Sequence, residues 1–277
     1  MSDRPPGLPD FARPPVTEVA FSLQFEALPL FLAAHTGMLW QYFRKDLPDI
    51  EEHAPLPAVI EEFGPPRPPS FDVQFGDIPP VPRVWFLNAD KTRLIQVQKN
   101  RFIHNWRKLE TDKVYPRYES ERVAFEGELR ILEMFLAENK LGELRINQCE
   151  LTYVNYILPG RVWARHTDAA AVFTTTKRLE PGGFLPEAED YAFRVRYRME
   201  ESNGRPFGRL TAAMNPGWRT PDETPVFVLN LTARGRPFEE GLAGALQFFD
   251  LGRTWIVKGF AELTTKEMHH EWERTDV

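Results

Sequence analysis

A period of two, broken by a turn, dictates much of what this chain can become. The runs RLIQVQ and RFIHNWR flank Lys99-Asn100. A two-residue hairpin loop there sets Gln98 opposite Arg101, Val97 opposite Phe102, Gln96 opposite Ile103 and Ile95 opposite His104. His104 then shares a face with Ile95, Val97, Phe102 and Trp106. Gln96, Gln98, Arg101, Asn105 and Arg107 share the other, interrupted by Leu94 and Ile103. One face suits a core and the other is a polar platform, the pattern of an antiparallel sheet covered on one side. RVWFL and a turn at Asn88-Ala89-Asp90 extend the hairpin to a three-stranded meander.

The same period recurs upstream. From Val16 to Glu26, Val19, Phe21, Leu23 and Phe25 alternate with Glu18, Ala20, Ser22 and Gln24, which predicts a half-buried strand. Leu32, Leu39, Trp40 and Phe43 predict a helix from about Leu30 to Lys45, stopped by Pro48. The chain has 25 prolines, clustered at the N-terminus and between Pro55 and Pro82. Each removes a backbone donor, so the second cluster reads as a long crossing connection with a short extended piece at Phe71 to Phe75. A helix from about Ser120 to Asn139 follows, with Phe125, Leu129, Leu132, Phe135 and Leu136 as its apolar stripe.

The second half repeats the plan. Strands are predicted at Arg145 to Leu158 and in AAVFTTT, DYAFRVRYRME, FGRLTAAM and TPVFVLNLTAR, with a turn at Glu201 to Gly204. A long helix follows, with Leu242, Leu246, Phe249, Ile256, Val257 and Phe260 inward, and Thr264 with Glu267 reads as a capping box. The expected fold class is α+β: a curved antiparallel sheet with long helices packed on one face, built as a pseudo-duplicated strand-helix-strands-helix unit. Its expected parts are a flexible Pro-rich tail (1–15), a first half (16–142) and a second half (143–277), packed as one globular unit.

Composition narrows the functions. A 42% hydrophobic and 27% charged chain of 277 residues folds rather than staying disordered. A net charge of −6 makes general affinity for polyanions an unfavourable default. A lone Cys149, no secretory leader pattern and no long apolar run lead to the expectation of a cytoplasmic protein without a membrane span.

No Walker-type, dinucleotide-binding or G-x-S-x-G motif occurs, which weighs against the commonest enzyme classes, and no cofactor is expected. His269 and His270 are adjacent, not three or four apart as a helical metal pair requires, so no metal site is expected. His104 on an apolar face reads as a core histidine, and Cys149 as a structural thiol.

The most chemically suggestive run is FRVRYRM. Alternation places Arg194, Arg196 and Arg198 on one sheet face, about 7 Å apart along the strand. With Arg209, they would offer planar donor forks to phosphates or to an acidic partner. The plainer reading is a solvated face paired with Glu187, Glu189, Glu200 and Glu201. Arg101, Asn105 and Arg107 would join this surface if the two halves share a sheet.

PPVTEVAFSLQFE, QVQKNRFIHNWRK, YPRYES, ELTYVNYI and TTKEMHHEW together resemble a sporadically distributed family of uncharacterised bacterial and archaeal proteins. The resemblance implies a prokaryotic protein, and a patchy distribution is similar to that of genes in mobile or defence islands. It supplies no site residues. The element order also looks like the saddle of TATA-binding-protein-like domains, an analogy of fold alone. The leading expectation is a non-enzymatic interaction protein with a protein partner in a prokaryotic multi-component system. The alternatives are nucleic-acid binding through the arginine-lined face, and an enzyme of unfamiliar type using His104 in a cleft with Asn105, Trp106 and Arg107.

Overall fold

The computed structural model describes residues 7–63, 81–109, 114–176, 184–201 and 203–276. The extended piece expected at Phe71 to Phe75 lies outside them. The first half contains β1 (Val16–Phe25), α1 (Ala33–Trp40), β2 (Asp49–His53), β3 (Arg83–Leu87), β4 (Arg93–Gln98), β5 (Arg101–Arg107) and α2 (Tyr118–Glu138). The second contains β6 (Ile146–Ile157), α3 (Ala169–Val172), β7 (Phe193–Glu200), β8 (Pro206–Arg219), β9 (Thr224–Gly235), α4 (Leu242–Leu263) and α5 (Lys266–Glu271). All nine strands join one antiparallel sheet in the order β2-β3-β4-β5-β1-β6-β9-β8-β7.

That order displays the duplication. In each half the first strand lies at the centre, the last strand lies beside it, and the others follow outward in reverse order. The two first strands pair with each other, Phe21 opposite Leu151 and Leu23 opposite Cys149. After each first strand comes a short helix on the way to the outer strands, α1 in one half and α3 in the other. The alternation around α3 predicts a strand, and the structure has a helical turn instead. Its alanines favour the helix, and only Phe173 makes a bridge, to Thr264.

The hairpin register is the one that the alternation dictates: Gln98↔Arg101, Val97↔Phe102, Gln96↔Ile103, Ile95↔His104. The expected three-stranded meander gains a fourth member, β2, whose DIEEH sequence pairs from Asp49↔Leu87 to His53↔Arg83. Sequence reasoning passes over it because acidic residues are poor strand formers; on an edge they are tolerated and block further pairing. The helix expected over Leu30 to Lys45 is regular only across Ala33–Trp40.

Helices α2 and α4 cover one face. Phe21 of β1 contacts Phe125 of α2 at 5.3 Å and Phe249 of α4 at 5.5 Å, and those two rings meet edge-on at 5.3 Å. Phe21, Phe125 and Phe249 are wholly buried, so both helices and the central strand share one core. Part of the stretch expected as a flexible tail belongs to this core. Leu8 and Phe11 are buried, Phe11 packs on Phe260 and Trp272, and Ala12 and Arg13 donate to the Glu273 and Trp272 carbonyls. The last helix is capped by Thr265, whose side chain accepts from the Met268 amide, one residue after the Thr264 expected from the sequence. Among the described residues no helix is long and apolar enough to cross a membrane.

A buried ionic cluster ties α2 to the sheet. The His104 Nε2 lies 2.9 Å from Glu121, its Nδ1 2.9 Å from Glu128, and Arg93 donates to Glu121 at 2.6 Å. Burial, the largest influence on His104, disfavours its charge, but the two carboxylates outweigh it and raise the imidazole from 6.5 to about 9. For Glu121 burial also opposes ionisation, and hydrogen bonds from His104 and Arg93 prevail, holding its carboxyl below the usual range.

A raised folded-state pKa for His104 contributes stability that is complete below pH 6.5 and lost as pH climbs through about 9. Urea unfolding at about pH 6 and about pH 9.5 should therefore differ by on the order of 3 kcal/mol, and His104→Gln should remove the difference. Close packing around Gly235 gives a second expected outcome. A Cβ on Gly235 would lie 2.3 Å from the Phe207 carbonyl oxygen and 2.6 Å from the Phe248 ring. Gly235→Ala is expected to lower stability by about 1–3 kcal/mol, measured by thermal or urea unfolding.

Candidate binding face

The face turned away from the helices carries the polar members of every alternating strand. Registers align them in rows across the sheet. One row runs Trp85, Gln96, Ile103, Ser22, Glu150, Arg234, Arg209, Arg198 from one side to the other. The next holds Leu94, Asn105, Ala20, Thr152, Thr232, Thr211 and Arg196. A third holds Arg107, Glu18, Val154, Asn230, Ala213 and Arg194.

All seven sequence-identified residues, Arg101, Asn105, Arg107, Arg194, Arg196, Arg198 and Arg209, thus lie on one face. They do not form one patch. Five strand spacings of ~4.8 Å separate β5 from β7, about 24 Å in all. Arg194, Arg196 and Arg198 are exposed on the edge strand, where charge hinders pairing with another sheet. Of the acids named as possible partners, Glu200 pairs with Arg198. Arg209 is committed to Glu61 and Arg234 to Glu150.

On the β3-β4-β5-β1 side a hydrogen-bond chain crosses four strands. Arg83 Nη1 donates to Gln96 at 2.7 Å, Gln96 to Asn105 at 2.7 Å, and Asn105 to Glu18 at 2.6 Å. Burial raises the Glu18 pKa against the opposing effects of the Asn105 bond and of Arg107. Trp85 stacks on His53 at 3.9 Å, with the Arg83 and Arg107 guanidinium groups each 5.5 Å from its ring. At the Glu18 end, Glu18, Arg107, Val154, Tyr156 and Arg219 line a cavity of about 630 Å³.

The polar atoms here are incompletely used. Arg83 Nε, Trp85 Nε1, Arg101 Nε, Arg107 Nε, Gln148 Nε2 and Asn230 Oδ1 are buried without a hydrogen-bond partner, and all belong to this face. Buried side-chain polar groups are nearly always satisfied, and this face holds six of the nine exceptions among the described residues, the others being Glu119 Oε1, Trp163 Nε1 and Thr167 Oγ1.

The segment 54–63 crosses the opposite part of the face, over Gln98, Arg101, Gln24, Gln148 and Arg209. Its amides at Leu56, Val59 and Glu61 donate to the side-chain oxygens of Gln98, Gln24 and Gln148 at 2.8 to 2.9 Å. Gln98 and Arg101 donate in return to the Leu56 and Pro57 carbonyls at 3.0 and 2.9 Å. Sequence reasoning does not single out Trp85, Glu18, Gln24, Gln148 or Glu61 as site residues. The signal it offers is the outward position of Glu18 and Gln24 on the alternating strand, but what faces them is decided by the fold.

The other candidates fall elsewhere. His104 lies on the helix-covered face, opposite Asn105 and Arg107, with both ring nitrogens on carboxylates, so it does not share a cleft with them. Cys149 is fully buried and burial pushes its thiol up, as suits a structural residue. His269 is buried against Thr264 and Arg274. Among the described residues no cluster of His, Cys, Asp and Glu could hold a metal. No family model and no curated protein sequence matches the chain.

Replacing Asn105 by leucine removes the link between Gln96 and Glu18 and leaves the buried Gln96 and the half-buried Glu18 each short of a partner. Asn105→Leu should cost on the order of 2–3 kcal/mol in urea unfolding with an unchanged circular-dichroism spectrum.

Proposed function

We propose that the chain is a binding protein whose polar sheet face receives an extended segment of a partner protein. The observation that supports this most is the group of buried donors without partners, Arg83 Nε, Trp85 Nε1 and Arg107 Nε, gathered around one tryptophan on the face free of helices. Backbone carbonyls and carboxylates of an extended chain are the complementary groups, and tryptophan and arginine are the residues that concentrate binding energy. The partner is read as a component of a prokaryotic multi-component system, the setting implied by the family resemblance. Polynucleotide binding fits less well, since Arg198, Arg209 and Arg234 have carboxylate partners and the net charge is −6.

Affinity capture from the source organism with the wild type, Trp85→Ala and Arg107→Ala tests this reading. A stoichiometric protein complex with the wild type, weakened at least about tenfold by either substitution, is the expected result. A clean monomer under all conditions would overturn the reading. So would salt-sensitive binding of labelled DNA or RNA that vanishes when Arg194, Arg196 and Arg198 become alanine, which would assign the face to nucleic acid.

A further inference from the structure

The contact between segment 54–63 and the sheet has the character of a ligand in a groove. Among the described residues no backbone-to-backbone hydrogen bond holds the segment; side chains of the sheet read its backbone instead. The three amides that are read belong to Leu56, Val59 and Glu61, and the prolines fall at 55 and 57, where no amide is needed. Pro57 supplies the carbonyl that Arg101 takes. Gln24 is held in the orientation that this contact needs, because its amide nitrogen donates to Asn147 at 2.9 Å while its oxygen accepts from Val59 and Arg101.

One side chain of the segment is read as well. The Glu61 carboxylate bonds to the Arg209 guanidinium and lies 3.8 Å from Arg234, while Arg209 also donates to the Glu62 carbonyl at 2.9 Å and covers the Phe63 ring. Ala54, Pro55, Pro57, Ala58, Ile60, Glu62 and Phe63 stay exposed, two of them large apolar residues. The groove therefore specifies an extended backbone and one carboxylate, and little else.

We propose that Gln98, Gln24, Gln148, Arg101, Arg209 and Arg234 form a peptide-reading groove, that residues 54–63 are its resident intramolecular ligand, and that an extended acidic segment of a partner protein replaces them. The inference rests on the reading of this face as a partner-binding surface, and extends it to the half that the chain itself covers. The replacing segment needs free amides at the positions of Leu56, Val59 and Glu61 and a carboxylate at the position of Glu61. A proline elsewhere favours it, because a preformed extended backbone loses less entropy on binding.

The probe is a fluorescently labelled peptide of sequence APLPAVIEEF, added to a full-length protein in which 54–63 is replaced by a glycine-serine stretch of equal length. Binding to this variant at least about tenfold tighter than to the wild type, whose groove is occupied, is expected. Val59→Pro or Glu61→Gln in the peptide should each weaken it by about tenfold or more, the first by deleting the amide read by Gln24 and the second by removing the charge on Arg209. The peptide assay reads the glutamine and arginine groove alone and affinity capture reads the Trp85 region, so failure here and failure of the partner reading are separable. A glycine-serine variant that unfolds cooperatively yet binds the peptide no better than the wild type overturns the inference. If that variant does not fold, Glu61→Ala in the intact chain decides: amides 56, 59 and 61 exchanging at least about tenfold faster than those of β1 support a displaceable ligand, whereas exchange only by global unfolding overturns it.

Discussion

The structure depends on the pairing of β1 with β6. These are the first strands of the two halves, and their antiparallel ladder is what turns two smaller sheets into one of nine strands. Phe21 sits on this ladder and meets both long helices, so strand pairing and helix packing are fixed at the same place. Fixing it also fixes the other face. Because side chains alternate, a register that sends Phe21 and Leu23 into the core sends Ser22 and Gln24 out of it.

The two faces treat their polar groups differently. On the covered side, His104 brings charge into the interior, and the cost is met in full by Glu121, Glu128 and Arg93. On the open side the compensation is incomplete: Arg83, Trp85 and Arg107 retain buried donors without acceptors. A stability argument explains the first arrangement and does not explain the second. Glu119 Oε1, Trp163 Nε1 and Thr167 Oγ1, away from the open face, are also buried without a hydrogen-bond partner, so what sets the open face apart is the gathering of three such donors around one tryptophan.

The segment 54–63 gives that face its two-part character. Where it lies, the glutamines and arginines of six strands have found a backbone and a carboxylate; beyond it, at the Glu18 end, the face borders a cavity of about 630 Å³. Binding by side-chain reading of an extended backbone is tolerant of sequence and sensitive to proline and charge, and both properties are written in the segment itself.

Much of the fold is legible in the sequence. Alternation around Lys99-Asn100 determines the β4-β5 register residue by residue, and helical spacing locates α2 and α4, because these patterns depend only on local geometry and on which residues avoid water. The seven candidate polar residues fall on the correct side of their strands for the same reason. What only the tertiary structure decided was adjacency: that β1 pairs with β6, that β7 is an edge some 24 Å from β5 by ~4.8 Å strand spacing, and that a proline-rich connection crosses the sheet onto Gln24, Gln98 and Gln148. These contacts join residues 35 to 148 positions apart, and no local period carries information over such a separation. Alternation says which way a glutamine points, and only the closed chain says what it meets.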